Sequence, residues 1–178
     1  MSSGTISRNF ASALFELADR QGKVELYGDL LETVAAAVLL TPEVKAVMMS
    51  PRVPKAKKVA LLTEALPEAP KAFLRFLEAV VRRGRQNLLG EMAEAYRELA
   101  DIRFNRVRAS VTLAHAPDDA LAERIAAGLS RVFGKKVLPV FRTDPGVLGG
   151  AIVRVGDRVF DGSVKRKVAA LRRQLLSR

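Results

Sequence analysis

Apolar residues recur at helical spacing along the N-terminal part of the chain. In the first segment, Ile6, Phe10, Ala13, Leu14 and Leu17 fall on one helical stripe. Further stripes follow, separated by Gly, Pro and polar residues that end or begin helices. The pattern predicts six helices joined by short connections, up to about residue 105. Their predicted starts are Thr5, Val24, Pro42, Pro54, Lys71 and Leu88.

The sixth predicted helix runs from Leu88 to about Arg103. Its predicted buried stripe consists of Leu88, Met92, Ala95, Leu99 and Ile102.

The period of the pattern changes near Val107. From there to Leu113, apolar residues alternate with polar ones, which predicts a half-buried strand. A helix is predicted from Asp118. The segment from Lys135 to Phe141 is rich in β-forming residues, and Pro139 confines it to an edge of a sheet or an irregular strand. The side of the helix expected to face the sheet carries Leu121, Ile125, Leu129 and Val132.

A tight hairpin and a final helix complete the predicted order. Ala151 to Val155 and Arg158 to Phe160 read as two strands joined by a Gly-Asp turn. The last helix begins near Val164 and aligns four apolar residues, while basic residues fill its other sides. The fold is therefore predicted to be mainly α. A six-helix bundle (residues 1–105) precedes a smaller α+β domain with a short sheet and hairpin (residues 106–178). The apolar stripe of the last helix is Val164, Val168, Leu171 and Leu175.

Positive charge is concentrated in the second predicted domain. The formal net charge of the chain is +11, of which residues 1–105 carry +2 and residues 106–178 carry +9. A basic surface of this kind could bind nucleic acid, anionic lipid or an acidic protein. Composition does not choose among them.

The residues needed for most enzyme chemistry are missing from the sequence. It contains no Cys and a single His, so thiolate and His-rich metal sites are excluded. No phosphate-binding loop, metalloprotease motif or nucleophile elbow occurs. Gly146, Gly149 and Gly150 precede a predicted strand, so a turn explains them better than a phosphate site. We therefore predict a protein that is not an enzyme and has no cofactor.

No segment of the sequence predicts a membrane span or an export signal. The longest apolar run, Val34 to Leu40, is far shorter than the ~20 residues of a spanning helix. The N-terminus lacks the basic start and apolar stretch of a signal peptide. We expect a soluble protein that is not exported.

The stretch from Gly149 to Leu175 carries the most specific pattern in the sequence. It contains a Gly pair, an apolar strand with an Arg, a Gly-Asp turn, a second apolar strand, an Asp-Gly-Ser segment and a helix. This order resembles the C-terminal signature of ATP synthase delta subunits, whose mitochondrial relative is the oligomycin-sensitivity-conferring protein. The signature residues are Gly149, Gly150, Arg154, Gly156, Asp157, Asp161, Gly162 and Ser163.

Two further segments strengthen the resemblance. Residues 7–18 are similar to the first helix of the family, and residues 82–92 to the joint between its fifth and sixth helices. The departures are modest. Phe10 stands where the family often has Tyr, Lys165 replaces a frequent Arg, and Val168 replaces a usual Leu.

The resemblance implies a non-catalytic connector in the peripheral stalk, or stator, of an F-type ATP synthase, where ATP synthesis is coupled to hydrogen ion transport. The first domain would bind the catalytic head by holding an N-terminal helix of the alpha subunit between helices one and five. The second would bind the C-terminal end of the b subunit. The protein would sit peripherally on the cytoplasmic side of a bacterial cell membrane. The implied alpha-binding residues are Phe10, Ala13, Leu14, Leu17, Phe76, Leu77, Val80 and Val81.

The residues themselves leave two readings open for these positions. Helices one and five carry more apolar surface than one helix face requires, so they either lie centrally in the bundle or line a groove for a partner. In the C-terminal signature, the glycines and the Asp-Gly-Ser segment read as turns and a helix cap. For Arg154, an ion pair with Asp157 or Asp161 competes with a partner contact.

Two other functions compete with the connector. A basic nucleic-acid-binding protein would use the +9 half, although the sequence has no aromatic RNA-binding motif or GXXG loop. A small enzyme is opposed by the missing catalytic motifs.

Overall fold

The computed structural model describes residues 3–176, and of residues 174–176 only the backbone is described. The chain divides into two compact units, Met1–Ala100 and Asp101–Arg178. The architecture is mainly helical with a small mixed sheet in the second unit, as predicted.

The first unit is built from helices. Within residues 3–103 the structure has six α-helices, and α6 is preceded by a short 3₁₀ turn. The helices begin and end near the Gly and Pro residues that predicted their boundaries. The bounds are α1 Ser3–Arg20, α2 Val24–Leu40, α3 Pro42–Met49, α4 Lys55–Ala65, α5 Lys71–Arg82 and α6 Leu89–Arg103.

Aromatic side chains form the centre of this helical core. The Tyr27 and Phe73 rings meet edge to face, with centroids 5.6 Å apart. The buried Tyr96 hydroxyl donates a hydrogen bond of 2.8 Å to the Val24 carbonyl oxygen. Burial raises the pKa of Tyr96, and the neighbouring Tyr27 and Asp19 raise it further. The hydrogen bond and the burial fix which side of α6 faces α2.

That orientation corrects the predicted stripe of α6. Ile102, expected to be buried, is 77% exposed, and Ala95 and Leu99 are only partly buried. Ile102 lies past Ala100, the last residue of the first unit, and is not part of the core of that unit. The residues that α6 buries are Leu89, Met92, Ala93, Tyr96 and Ala100.

The second unit contains a four-stranded sheet in the order β2-β1-β3-β4. β1 runs parallel to β2 and antiparallel to β3, and β3 forms a hairpin with β4. The hairpin and the edge position of the strand with Pro139 are both confirmed. The bounds are β1 Arg106–Leu113, α7 Asp119–Phe133, β2 Lys136–Thr143, β3 Ala151–Val155, β4 Arg158–Asp161 and α8 Val164–Leu176.

One face of this sheet packs against α7. Asp118 caps α7 by accepting a hydrogen bond of 2.7 Å from the Leu121 backbone N–H. The predicted stripe of α7 was partly wrong, since Val132 is 77% exposed and Leu121 is also exposed. The covered side of α7 is rotated from the predicted stripe towards Ala122, Ala126 and Phe133, which are partly buried. The apolar residues of α7 that pack on the sheet core are Ile125, Leu129 and Phe133.

Candidate functional site

A groove lies between α1 and α5 in the helical unit. Its volume is about 640 Å³. The rings of Phe10 and Phe76 form its aromatic floor, meeting edge to face with centroids 6.2 Å apart. Ala13 and Ala79 have side chains too small to fill the space between the helices, and the groove stays open beside them. The lining residues are Ile6, Asn9, Phe10, Ala13, Phe76, Ala79, Arg83 and Arg85.

The structure distributes the eight predicted alpha-binding residues over two environments. Phe10, Ala13 and Phe76 line the groove. Leu17 is partly buried against the helical core and does not line the groove. The remaining four are fully buried in that core, which places them behind the groove wall: Leu14, Leu77, Val80 and Val81. The wide apolar surface therefore divides between residues of the core and residues that line an open groove.

Five lining residues were absent from the predicted set. Ile6 and Asn9 stand one turn before Phe10 and Ala13 on α1, Ala79 continues the face of Phe76 on α5, and Arg83 is the residue directly after α5. Arg85 follows the helix. Ile6 lies on the apolar stripe of the first helix, and Asn9 and Ala79 are indicated by their positions on helical faces. Arg83 and Arg85 follow α5, and a search for apolar stripes does not detect them.

The polar end of the groove is formed by the turn that ends α5. Gly84 has a φ of +66°, a conformation that glycine adopts without steric cost. Its N–H bonds the Val81 carbonyl at 2.9 Å, and the Arg85 N–H bonds the Val80 carbonyl at 2.9 Å. This is a Schellman cap, in which the chain reverses just after the helix. The reversal brings Arg83 and Arg85 to the same end of the groove.

A second apolar cavity lies elsewhere in the helical unit. It has a volume of about 490 Å³ and lies between α2, α3 and α4. Val44 and Val47 of α3 and Leu61 and Leu62 of α4 are among its lining residues. No apolar stripe in the sequence indicates this cavity, because α3 and α4 are short and each has only a weakly defined apolar face.

The C-terminal signature forms a compact junction between β3, β4 and α8. Gly150 has a φ of +76°, and a Cβ added to it would lie 2.5 Å from the Gly162 carbonyl oxygen. The Gly149 carbonyl oxygen accepts a hydrogen bond of 2.9 Å from the Val164 N–H. A residue larger than glycine at position 150 would therefore push the strand from the start of the helix.

Asp161 and Ser163 cap the start of α8 through two successive hydrogen bonds. The Asp161 carboxylate accepts a hydrogen bond of 2.9 Å from the Ser163 N–H. The Ser163 hydroxyl accepts one of 3.2 Å from the Arg166 N–H. Hydrogen bonds from Ser163 hold the pKa of Asp161 below its ordinary value, and the charge of Arg166 lowers it further. The predicted capping role of these residues is confirmed.

The predicted ion pair of Arg154 is wrong for the part of the chain that the structure describes. Arg154 and Asp157 are exposed, and no salt bridge joins Arg154 to either candidate carboxylate. Arg154 stands opposite Val159 in the hairpin, whereas Asp161 stands opposite Ile152 and is engaged by Ser163. The Gly156-Asp157 turn joins the two strands as expected.

The apolar stripe of α8 is exposed. Val164, Val168 and Leu171 are 42%, 58% and 57% exposed, respectively. The predicted fourth member, Leu175, lies outside the described side chains. The basic residues between these positions are exposed as well, which gives the helix an apolar side flanked by positive charge: Lys165, Arg166, Lys167, Arg172 and Arg173.

The profile of the family described as ATP synthase delta (OSCP) subunit matches residues 6–175. The chain belongs to the ATP synthase delta (OSCP) subunit family. The match covers both units and includes the groove helices and the C-terminal signature.

Individual members of the delta family are similar along nearly the whole chain. ATP synthase subunit delta of Gemmatimonas aurantiaca is 41% identical over 172 residues, covering 96% of this chain and 93% of that protein. ATP synthase subunit delta of Desulforamulus reducens is 34% identical over 176 residues, covering 98% and 97%.

A solved structure shares the fold. A chain in the cryo-EM structure of the Toxoplasma gondii mitochondrial ATP synthase hexamer superposes with a TM-score of 0.67. The alignment covers 96% of this chain and 97% of that one, at 22% identity.

Within residues 3–176, no cluster of His, Asp and Glu side chains is placed to bind a metal ion. None of the helices in that range is both long and apolar enough to cross a membrane.

Proposed function

We propose that this delta-family protein is a non-catalytic connector of the peripheral stalk in an F-type ATP synthase. The helical unit binds an N-terminal helix of the alpha subunit, and the second unit binds the C-terminal end of the b subunit. Assembly would hold the protein peripherally on the cytoplasmic side of the bacterial cell membrane. The observation that carries the proposal is the open groove between α1 and α5.

The groove has the shape and chemistry of a helix-binding site. An amphipathic helix buries its apolar side in a groove through a few large anchors, and small residues let its backbone approach. Here Phe10 and Phe76 supply apolar contact area, and Ala13 and Ala79 supply the room. Behind them lies a fully buried core, so the walls of the groove are held in place before a partner arrives.

The second unit offers a different binding surface. The exposed side of α8 with Val164, Val168 and Leu171 lies among five basic side chains. An apolar side flanked by positive charge suits a partner helix with an apolar stripe and acidic flanks. This supports assignment of the b subunit contact to the second unit.

Two separate binding surfaces fit a mechanical role. Rotation of the central shaft drives ATP synthesis only if the catalytic head is held still, so the connector must stay bound under torque. Attachment at two sites makes rebinding at either one intramolecular, which slows complete release. The alternative of a nucleic-acid-binding protein has only the net charge in its favour, and a charged connector accounts for that charge as well.

Ala13→Asp tests the groove directly. In the free protein, Ala13 is exposed, so the carboxylate remains in water and costs the helix only ~0.5–0.7 kcal/mol. In the complex it would be buried without a partner, at a cost of roughly several kcal/mol. We expect a near-unchanged melting temperature and a loss of affinity of at least about a hundredfold for the N-terminal segment of the alpha subunit. Calorimetric titration and thermal melts measure the two effects.

Ala36→Asp provides a matched control. Ala36 is an exposed position on α2 that lines neither cavity, so the same chemical change there should leave peptide affinity intact. If Ala13→Asp leaves the affinity unchanged, the alpha-subunit helix does not bind in this groove. If it unfolds the protein, position 13 belongs to the core.

A further inference from the structure

We infer that the α1–α5 groove selects a partner helix carrying a carboxylate at the end that lies over Arg83 and Arg85. This inference rests on the proposed function and adds the charge that the partner must present. The lining of the groove is mostly apolar, and its two cations, Arg83 and Arg85, both follow the last residue of α5. The aromatic and small residues explain why a helix binds, and the arginines specify which helix and in which direction.

The two arginines have not been neutralised by the protein itself. Among the salt bridges between described residues, none involves Arg83 or Arg85. The neighbouring Arg82 differs, because it pairs with Glu78 at 2.7 Å and does not line the groove. Two exposed guanidinium groups at the edge of an apolar groove therefore present an unbalanced positive charge to whatever binds there.

Arg83 is already held in a position suited to a carboxylate. Its guanidinium carbon lies 5.6 Å from the centroid of the Phe10 ring, above the groove floor. A planar guanidinium can rest on an aromatic ring and still donate two parallel hydrogen bonds from its edge. Stacking limits the rotamers that Arg83 samples, so less entropy is lost when a carboxylate binds.

The backbone supports the arrangement at Arg85. The Schellman cap at Gly84 fixes the direction of the chain immediately after α5. Because the chain turns at Gly84, Arg85 lines the groove. If the helix continued, the residues after Arg83 would extend beyond the end of the groove. The Arg-Arg-Gly-Arg segment thus has a binding role in addition to ending the helix.

A carboxylate on a helix fits this site better than a phosphate does. The remainder of the lining offers Ile6, Phe10, Ala13, Phe76 and Ala79 to an apolar side chain, with no further cation along it. A lipid headgroup or a nucleic-acid backbone would satisfy the arginines and leave this apolar length uncovered. A helix with an apolar stripe and an acidic residue near one end satisfies both parts.

Neutralisation of the arginines tests the inference. The protein is titrated with a synthetic peptide of the alpha-subunit N-terminal segment, at low and high salt. We expect Arg83→Gln to weaken binding about five- to tenfold and the double variant with Arg85→Gln about thirtyfold or more at low salt. Arg82→Gln is the matched control and should change the affinity by less than about twofold. Thermal melts of all variants should agree, because these side chains are exposed.

A charge exchange separates this inference from the proposed function. The acidic residues of the peptide are replaced one at a time by Lys, and each peptide is tested against wild type and against the variant Arg83→Glu, Arg85→Glu. We expect one Lys peptide to lose affinity for wild type and to regain it with the reversed variant. If wild type binds the unmodified peptide but neither the Gln variants nor salt alters the affinity, the charge selection is wrong and the groove assignment stands. If wild type does not bind the peptide at all, the proposed function fails.

Discussion

The helical unit and the sheet-containing unit bury their apolar residues to different extents. In the part of the chain that the structure describes, the helical core contains twenty buried hydrophobic residues, whereas the core of the second unit contains five. The second unit also carries most of the net charge and the exposed apolar side of α8. The first unit therefore derives its stability mainly from its core, and the second depends more on turns and caps.

The largest effect is expected from a substitution in the helical core. Phe73 is fully buried, and Phe73→Ala should lower the free energy of unfolding of the first unit by ~3–5 kcal/mol, through lost apolar contact and a cavity. Hydrogen exchange, read separately in α1–α6 and in β1–β4, measures the change. Val111→Ala is the counterpart in the second unit and should cost about 1.5–3 kcal/mol there. Equal loss of protection in both units after either substitution would show that they unfold together.

A smaller effect is expected at the junction of β3 and α8. Gly150→Ala should destabilise the second unit by ~1–3 kcal/mol, because the added Cβ meets the Gly162 carbonyl oxygen and the φ is positive. Denaturant unfolding monitored in the sheet measures it. Gly128→Ala is the control: it lies within α7, a Cβ there meets nothing within 4 Å, and helix propensity should stabilise by about 0.5–1 kcal/mol. A neutral Gly150→Ala would mean that the glycine junction is dispensable.

Removal of one buried hydroxyl should have a smaller effect on the stability of the helical unit. Tyr96→Phe removes the hydrogen bond to the Val24 carbonyl and should cost ~1–1.5 kcal/mol. The raised pKa of Tyr96 adds a pH dependence. The unfolded chain ionises this Tyr near pH ~10, so wild type should lose stability as the pH rises above that value, and the variant should lose less. Denaturant midpoints at neutral and alkaline pH measure both effects, and parallel curves would contradict the assigned burial.

The smallest effect concerns the cap of α8. The pKa of Asp161 is lowered in the folded protein, so its contribution to stability is present above the pKa of an unfolded Asp, about 3.9, and is lost as the pH falls through the folded value. Asp161→Asn retains an acceptor for the Ser163 N–H but has no charge to titrate. The gap in stability between wild type and variant should therefore close in acid. A gap that stays constant with pH would assign the effect to the hydrogen bond alone.

Local sequence patterns predicted where the helices and strands lie. They did not predict which side of each helix is buried. The Gly-Asp hairpin turn, the start of α7 near Asp118 and the edge position of Pro139 depend on a few neighbouring residues and were predicted. Ile102 and Val132 were assigned to buried stripes but are exposed. The period of a helix shows which residues share a side but not where the neighbouring element ends.

In the groove too, the helices were predicted but the sides that they expose were not. The sequence identified α1 and α5 as apolar on two sides, and the structure places Phe10 and Phe76 in the groove but Leu14 and Leu77 in the core. Which side faces out depends on the rotation of each helix about its axis, which is fixed by contacts such as that between Tyr27 and Phe73. Helical periodicity does not indicate Arg83 and Arg85 as groove residues, because they lie in the turn that ends α5.

The edges of the sheet have a consequence for the chain before it is assembled. Exposed strand edges can pair with other copies of the same protein and lead to aggregation. β4 is only four residues long, and β2 carries Pro139, which has no N–H to donate. Among the strands of residues 3–176, β1 and β3 lie inside the sheet, and β2 and β4 form its two edges. We therefore expect newly made chains waiting for their complex to offer one another few sites for intermolecular strand pairing.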